Sequence, residues 1–133
     1  MLTSEQISAA KRGFRYIHRA DVFHEHDDCI RMAYEWLDAQ NTIATPNNKS
    51  RPLKHIIEEW AGRYISQSDV EVAAHLHPRI SGKYSNFNLS ARLVLPSDRR
   101  LEDIGEALIQ GYRDCMDPKT YDLREDGWTA LED

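Results

Sequence analysis

Residues 66–95 constrain the fold most, because they carry two periodicities that favour different secondary structures. In Ser66-Gln67-Ser68-Asp69-Val70-Glu71-Val72-Ala73-Ala74-His75-Leu76, the apolar Val70, Ala73 and Leu76 recur at helical spacing, and Ser68 with Glu71 reads as a capping box. The same residues also alternate, with Val70, Val72, Ala74 and Leu76 on one face of a strand. Beyond Pro78 and Gly82, the run Phe87, Leu89, Ala91, Leu93, Leu95 alternates over a longer stretch. The pair Ala73-Ala74 has poor strand preference, so a helix is favoured for the first run, and the second is the better strand candidate.

The flanking segments are more uniform. Thr3 or Ser4 can cap a first helix whose apolar face is Ile7, Ala10, Phe14 and Ile17, ending near Ala20. A second helix is expected to start between His24 and Asp27 and to bury Cys29, Ile30, Ala33, Trp36 and Leu37. Pro46 and the asparagines around it make residues 41–52 a loop. Pro52 then opens a third helix along Leu53, Ile56, Ile57, Trp60 and Tyr64, weakened at Gly62. Pro96-Ser97-Asp98 announces another, with Leu101, Ile104, Leu108, Ile109 and Tyr112 inward and Gly105 and Gly111 against it. Trp36 and Trp60 are expected core residues.

With a helix for Val70–Leu76, a turn over Pro78–Lys83 and a further helix from Ser85 or Asn86, the centre resembles a helix-turn-helix or winged-helix arrangement. The expected fold is then mainly α, a small domain of about five helices with a helix-turn-helix-like centre. The alternative is α+β, with a β-hairpin at about 69–95. Residues 1–117 form the globular domain, and 118–133 an acidic arm, loosely docked or disordered, with Leu123, Trp128 and Leu131 to hold it.

The net charge is −5, unevenly spread: residues 49–100 carry nine basic and five acidic side chains, residues 101–133 three and ten. A basic middle suits phosphate contacts, and an acidic end suits a basic partner or limits nonspecific binding. On the helix-turn-helix arrangement, Lys83, Asn86, Asn88 and Arg92 would approach bases while Arg51, Lys54 and Arg79 meet phosphates. The protein is thus expected to be a small DNA-binding or regulatory protein. The other reading is an acidic protein-binding module or inhibitor, possibly phage-type, acting on a basic, nucleic-acid-handling target. Trp128, isolated in a polar segment, is then the partner-docking residue. A homodimer is compatible with either.

Catalytic signatures are absent: there is no G-x-S-x-G, G-x-x-x-x-G-K or G-x-G-x-x-G pattern, so an enzyme is the less favoured class and no cofactor is expected. His24, His26, Asp28 and Cys29 offer an incomplete metal set on a helix start, and Cys29 falls on the apolar stripe. His75 and His77 read as surface or turn residues. Cys29 and Cys115 make no C-x-x-C pair, no apolar run approaches the ~20 residues of a bilayer span, and the first residues lack a signal pattern; a cytoplasmic protein is the expectation.

Overall fold

The computed structural model describes residues 1–47 and 49–127. Trp128 and the residues after it lie outside the described residues. Among the described residues there are four α-helices rather than about five: α1 (Ser4–Gly13), α2 (Asp27–Asp38), α3 (Leu53–Ala61) and α4 (Gln67–Leu76). Short 3-10 turns and four two-residue strands complete the regular structure. β1 (Gly82–Lys83) pairs antiparallel with β2 (Asn86–Phe87), and β3 (Val94–Leu95) pairs parallel with β4 (Leu123–Arg124).

The core forms where α2 crosses α4 and α3. Cys29, Ile30, Met32, Ala33, Trp36 and Leu37 of α2 meet Leu53, Ile57 and Trp60 of α3 and Val70, Val72 and Ala73 of α4. Ile7 and Ala10 of α1 close one side. This is the expected outcome of three apolar stripes at helical spacing, each burying a face that cannot remain in water alone. Both tryptophans expected in the core are fully enclosed.

The ambiguous centre divides between the two readings. Its first run is helical, but the capping box is Ser66 with Asp69, not Ser68 with Glu71: the Ser66 hydroxyl accepts from Asp69 N–H at 3.0 Å and the Asp69 carboxylate from Ser66 N–H at 2.8 Å. Ser68 instead accepts from the Phe23 backbone. The second helix of the helix-turn-helix does not form. Residues 86–90 are extended between two neighbours, receiving a bond at Asn88 O from Ile43 N and giving one from Asn88 N to Ser81 O. Their alternating apolar pattern decides the outcome, since Phe87, Leu89 and Leu93 all reach the core from an extended chain. A single hairpin spanning 69–95 is likewise excluded, because α4 occupies its first half.

The helix expected after Pro96 is also missing. Ser97 does cap, but the chain then makes a single 3-10 turn, Asp98–Leu101, and continues in turns up to Leu108 at φ 63. Gly105 and Gly111 each cost a helix about 1 kcal/mol. The N–H groups of Leu108 and Gln110 instead bond Ala61 O and Gly62 O, satisfying carbonyls left free at the end of α3. Gly62 has φ 63, and a Cβ there would meet Leu108 Cα at 2.9 Å, so glycine is required twice over. The first helix stops at Gly13 rather than near Ala20, and residues 14–17 run along α4, where Ile17 N–H reaches Glu71.

Residues 118–127, expected to begin a loosely docked acidic arm, run beside β3. Tyr121 is buried, its hydroxyl accepting from the Trp36 indole at 3.0 Å, and Arg100 clamps Glu125 at 2.6 Å. No helix among the described residues is long and apolar enough to cross a membrane.

Candidate functional site

Two stretches of the chain contain no Asp or Glu: the one between Asp38 and Glu58 and the one between Glu71 and Asp98. The fold lays them against each other. Ile43 N bonds Asn88 O at 2.8 Å, Asn47 N bonds Phe87 O at 3.0 Å, Ser90 N bonds Asn41 O at 2.8 Å, and the Ser50 and Ser85 hydroxyls meet at 2.8 Å. These contacts join two acid-free stretches of chain around the β1–β2 hairpin and the loop beside it, with Glu71 the nearest carboxylate among the residues lining the adjoining cleft.

The seven basic and amide residues singled out from the sequence fare differently. Lys83 and Arg92 are exposed, with no carboxylate partner among the described residues, and Lys49 joins them. Arg51 gives a hydrogen bond to Ala91 O at 2.6 Å, which positions its guanidinium beside Arg92 without neutralising it. Asn86 donates to Asn47 O at 3.1 Å and remains partly accessible. Asn88 is only 7% exposed. Its amide is spent on the backbone, donating to Ile43 O and Arg79 O and accepting from Ser81 N, so it locks the three extended segments together. Lys54 is paired with Glu58 at 3.1 Å and lies 4.7 Å over the Tyr64 ring, while Arg79 turns to Asp38 at 3.2 Å. Thus Arg51, Lys83 and Arg92 have no carboxylate partner among the described residues and Asn86 stays partly accessible, whereas Lys54, Arg79 and Asn88 are engaged in holding the fold.

Several arginines elsewhere are matched. Arg63, almost fully buried, binds Glu25 at 2.6 Å and Glu106 at 2.9 Å; Arg100 joins Glu35, Asp38 and Glu125; Arg113 reaches Asp98. Paired charges contribute little external field, and the unpaired ones on the hairpin side therefore dominate locally.

Next to the hairpin opens a cleft of about 740 Å³. Glu71, Ala74 and His75 fall on one face of α4 and form its floor. One wall is Phe14 to Ile17, released from α1 by the break at Gly13; the other is Ile80 to Tyr84 with Phe87. Aromatic rings brace both walls. Phe14 meets Tyr16 edge-on at 4.9 Å, and Tyr84 meets Phe87 edge-on at 6.2 Å. Arg15 and Lys83 line the same space from opposite walls.

Glu71 is 4% exposed. One carboxylate oxygen accepts from Ile17 N–H at 3.1 Å, and the other has no hydrogen bond among the described residues. Beside it runs a chain of polar groups: Tyr16 hydroxyl to His24 Nε2 at 2.8 Å, and His24 Nδ1 to Asp69 at 2.7 Å. In the neutral tautomer that donates from Nδ1 to the Asp69 carboxylate, His24 accepts the Tyr16 O–H at Nε2. Burial, then the charges of Glu71 and Asp69, raise the Tyr16 pKa above its ordinary value. The phenol stays protonated, and the chain therefore orients Tyr16 rather than making it a nucleophile.

Sequence motifs do not reveal Tyr16, Glu71 or Tyr84, since the cleft joins residues 14–17 to the distant α4 and the hairpin that follows it. One signal was present: a glutamate between Val70 and Val72, inside an apolar run. Cys29 gives its S–H to Tyr64 O at 3.4 Å, and burial pushes its pKa up to about 12, as for an inert core thiol. His77, expected as a surface or turn residue, stands at the end of α4 where the chain turns and is buried there, with Nε2 on Asp38 at 2.8 Å and Nδ1 accepting from Arg79 N–H. No cluster of three or more His, Cys, Asp or Glu side chains suited to a metal occurs among the described residues. No family model, curated protein or solved structure matches this chain. Its function has to be read from the chemistry of the site.

Proposed function

We propose that the protein is a nucleic-acid-binding module that holds phosphates on the acid-free segments around the β1–β2 hairpin, without a helix-turn-helix. The observation carrying this reading is the convergence of the two acid-free segments, in which Lys49, Arg51, Lys83 and Arg92 have no carboxylate partner among the described residues of a molecule of net charge −5. Counterions condensed on a polyphosphate are released when such cations bind, so affinity falls steeply with salt. The hydroxyls and amides of Ser50, Ser85 and Asn86 lie among these cations and suit phosphate or sugar contacts.

The test is fluorescence anisotropy of labelled single-stranded and duplex oligonucleotides of mixed sequence, titrated with the full chain at low and raised salt. Binding that weakens on the order of tenfold or more between 50 and 200 mM salt is expected. It should weaken further in Lys83→Ala and Arg92→Ala, but not in Lys119→Ala, which lies in a separate 3-10 turn. Absence of binding at the lowest salt overturns the proposal.

A second reading keeps the protein-binding alternative. Leu108 and Ile109 are exposed together, and Glu102, Asp103 and Asp114, a few residues away in sequence, have no basic partner among the described residues. An exposed apolar pair in an acidic stretch of chain suits a basic protein surface. Association with a basic protein, retained after Lys83→Ala and lost after Ile109→Asp, would favour this reading.

A further inference from the structure

The cleft between residues 14–17, α4 and the hairpin combines features that point to different parts of one ligand. Its floor offers a buried carboxylate, Glu71, with one oxygen unengaged. Its walls carry the partly exposed rings of Phe14 and Tyr16 on one side and Tyr84 on the other, with the buried Phe87 edge-on to Tyr84. Its mouth has two cations, Arg15 and Lys83, neither with a carboxylate partner among the described residues.

We infer that this cleft binds a guanine nucleotide base, with Glu71 accepting from the base and Arg15 and Lys83 facing its phosphate. Ring walls accept a flat π-face by stacking, which is worth about 1–3 kcal/mol per base and tolerates any base. The carboxylate supplies the choice. Ionised, it only accepts hydrogen bonds, and guanine presents adjacent N–H donors at its N1 and exocyclic amine. Adenine places an acceptor nitrogen at the corresponding ring position, which would face the carboxylate oxygen. A free amine or guanidinium would suit Glu71 but not Arg15 and Lys83, and a purely anionic ligand would suit the cations but not Glu71. A nucleotide with a donor edge and a phosphate satisfies all three.

This inference rests on the nucleic-acid reading, and Lys83 connects the two, since it belongs both to the acid-free segments and to the cleft. A guanine splayed from a single strand on those segments would enter the cleft beside them. A free guanosine phosphate has the same chemistry, so the experiment must separate the two sources.

Isothermal titration of the full chain with GMP, IMP, AMP and CMP, and with single-stranded oligonucleotides containing one guanine or none, provides that separation. GMP is expected to bind at least tenfold more tightly than AMP or CMP, with IMP, which lacks the exocyclic amine, between them. Glu71→Gln retains an acceptor for Ile17 N–H but replaces the other oxygen by a donor, and should erase the guanine preference. Lys83→Ala, at an exposed position, should weaken GMP without changing the order of bases, and it keeps the test valid if Glu71→Gln fails to fold. Strand binding with guanine preference supports both readings. GMP binding without strand binding supports the cleft assignment, identifies the free nucleotide as its source and overturns the nucleic-acid reading. Salt-sensitive strand binding with no base preference, unaltered in Glu71→Gln, overturns the guanine site and leaves the nucleic-acid reading standing. Binding of neither overturns both.

Discussion

Trp36 and Trp60 are the largest side chains fully enclosed by the protein, and each keeps its indole N–H satisfied, Trp36 by the Tyr121 hydroxyl and Trp60 by Pro96 O. Truncating either to alanine is expected to cost about 3–5 kcal/mol, through lost contacts and the cavity left behind, read as a lowered denaturation midpoint. A loss below about 1 kcal/mol would contradict their placement. Asp38 supplies a pH-dependent contribution. Burial alone would raise its pKa, but hydrogen bonds from Arg100 and His77 outweigh that and hold it at about 2. A carboxyl depressed below its unfolded value near 4 stabilises the fold fully above about pH 4 and loses that contribution as pH falls towards 2. The stability difference between the parent chain and Asp38→Asn should therefore shrink over that window in urea titrations. Its 39% side-chain exposure keeps the contribution small, because water screens the pair. A difference that stays constant from about pH 5 down to about pH 2 would refute this role.

Among the elements, α4 depends most on its surroundings. Its cap residue, Ser66, accepts from Asp69 N–H and also donates to Phe23 O, so it fastens the loop before α2 to the helix start. Ser66→Ala should cost about 1–2 kcal/mol, near the top of the range for a lost cap, because it removes both bonds. The same change at Ser68 removes only the Phe23 N–H contact and should cost less; thermal melts of the two variants side by side would reverse that order if Ser68 were the cap. Residues 98–115 show the opposite case. Their apolar residues recur at helical spacing, yet bonding to the end of α3 and two glycines leave only 3-10 turns and bends.

Over the whole molecule, charge is sorted by folding rather than by composition. Arg63, Arg100 and Arg113 are tied to carboxylates from distant segments, whereas Lys49, Lys83 and Arg92 lie in the acid-free segments with no carboxylate partner among the described residues. If the nucleic-acid proposal holds, replacing Lys49, Lys83 and Arg92 together by alanine should reduce the slope of log K against log salt by about 2–3, since each phosphate contact contributes about 0.7–0.9. Melting temperature should barely move, because none of the three forms an ion pair among the described residues. An unchanged slope would place the binding surface elsewhere.

The amphipathic stripes of α2 and α3, the Ile7 and Ala10 half of the stripe expected for α1, and both core tryptophans were legible in the sequence, because helical periodicity is a local property, whereas Phe14 and Ile17 fall beyond the end of α1. Which basic side chains are paired was half legible: Lys54 and Glu58 stand four apart on the expected third helix, so their pairing is local, whereas the contact of Arg79 with Asp38 is long-range and no local pattern announced it. The two periodicities of residues 66–95 competed for the backbone, with a lean to helix in the first run and strand in the second, and packing separated them. The first run buried Val70, Val72 and Ala73 against α2 as a helix, while the second found hydrogen-bonding neighbours at 41–47 and 79–81 that no local pattern announced. The cleft belongs wholly to tertiary structure. Tyr16 is far in sequence from Glu71 and Tyr84, and only the break at Gly13, the direction of α4 and the hairpin turn bring a buried carboxylate, aromatic walls and two cations to one place.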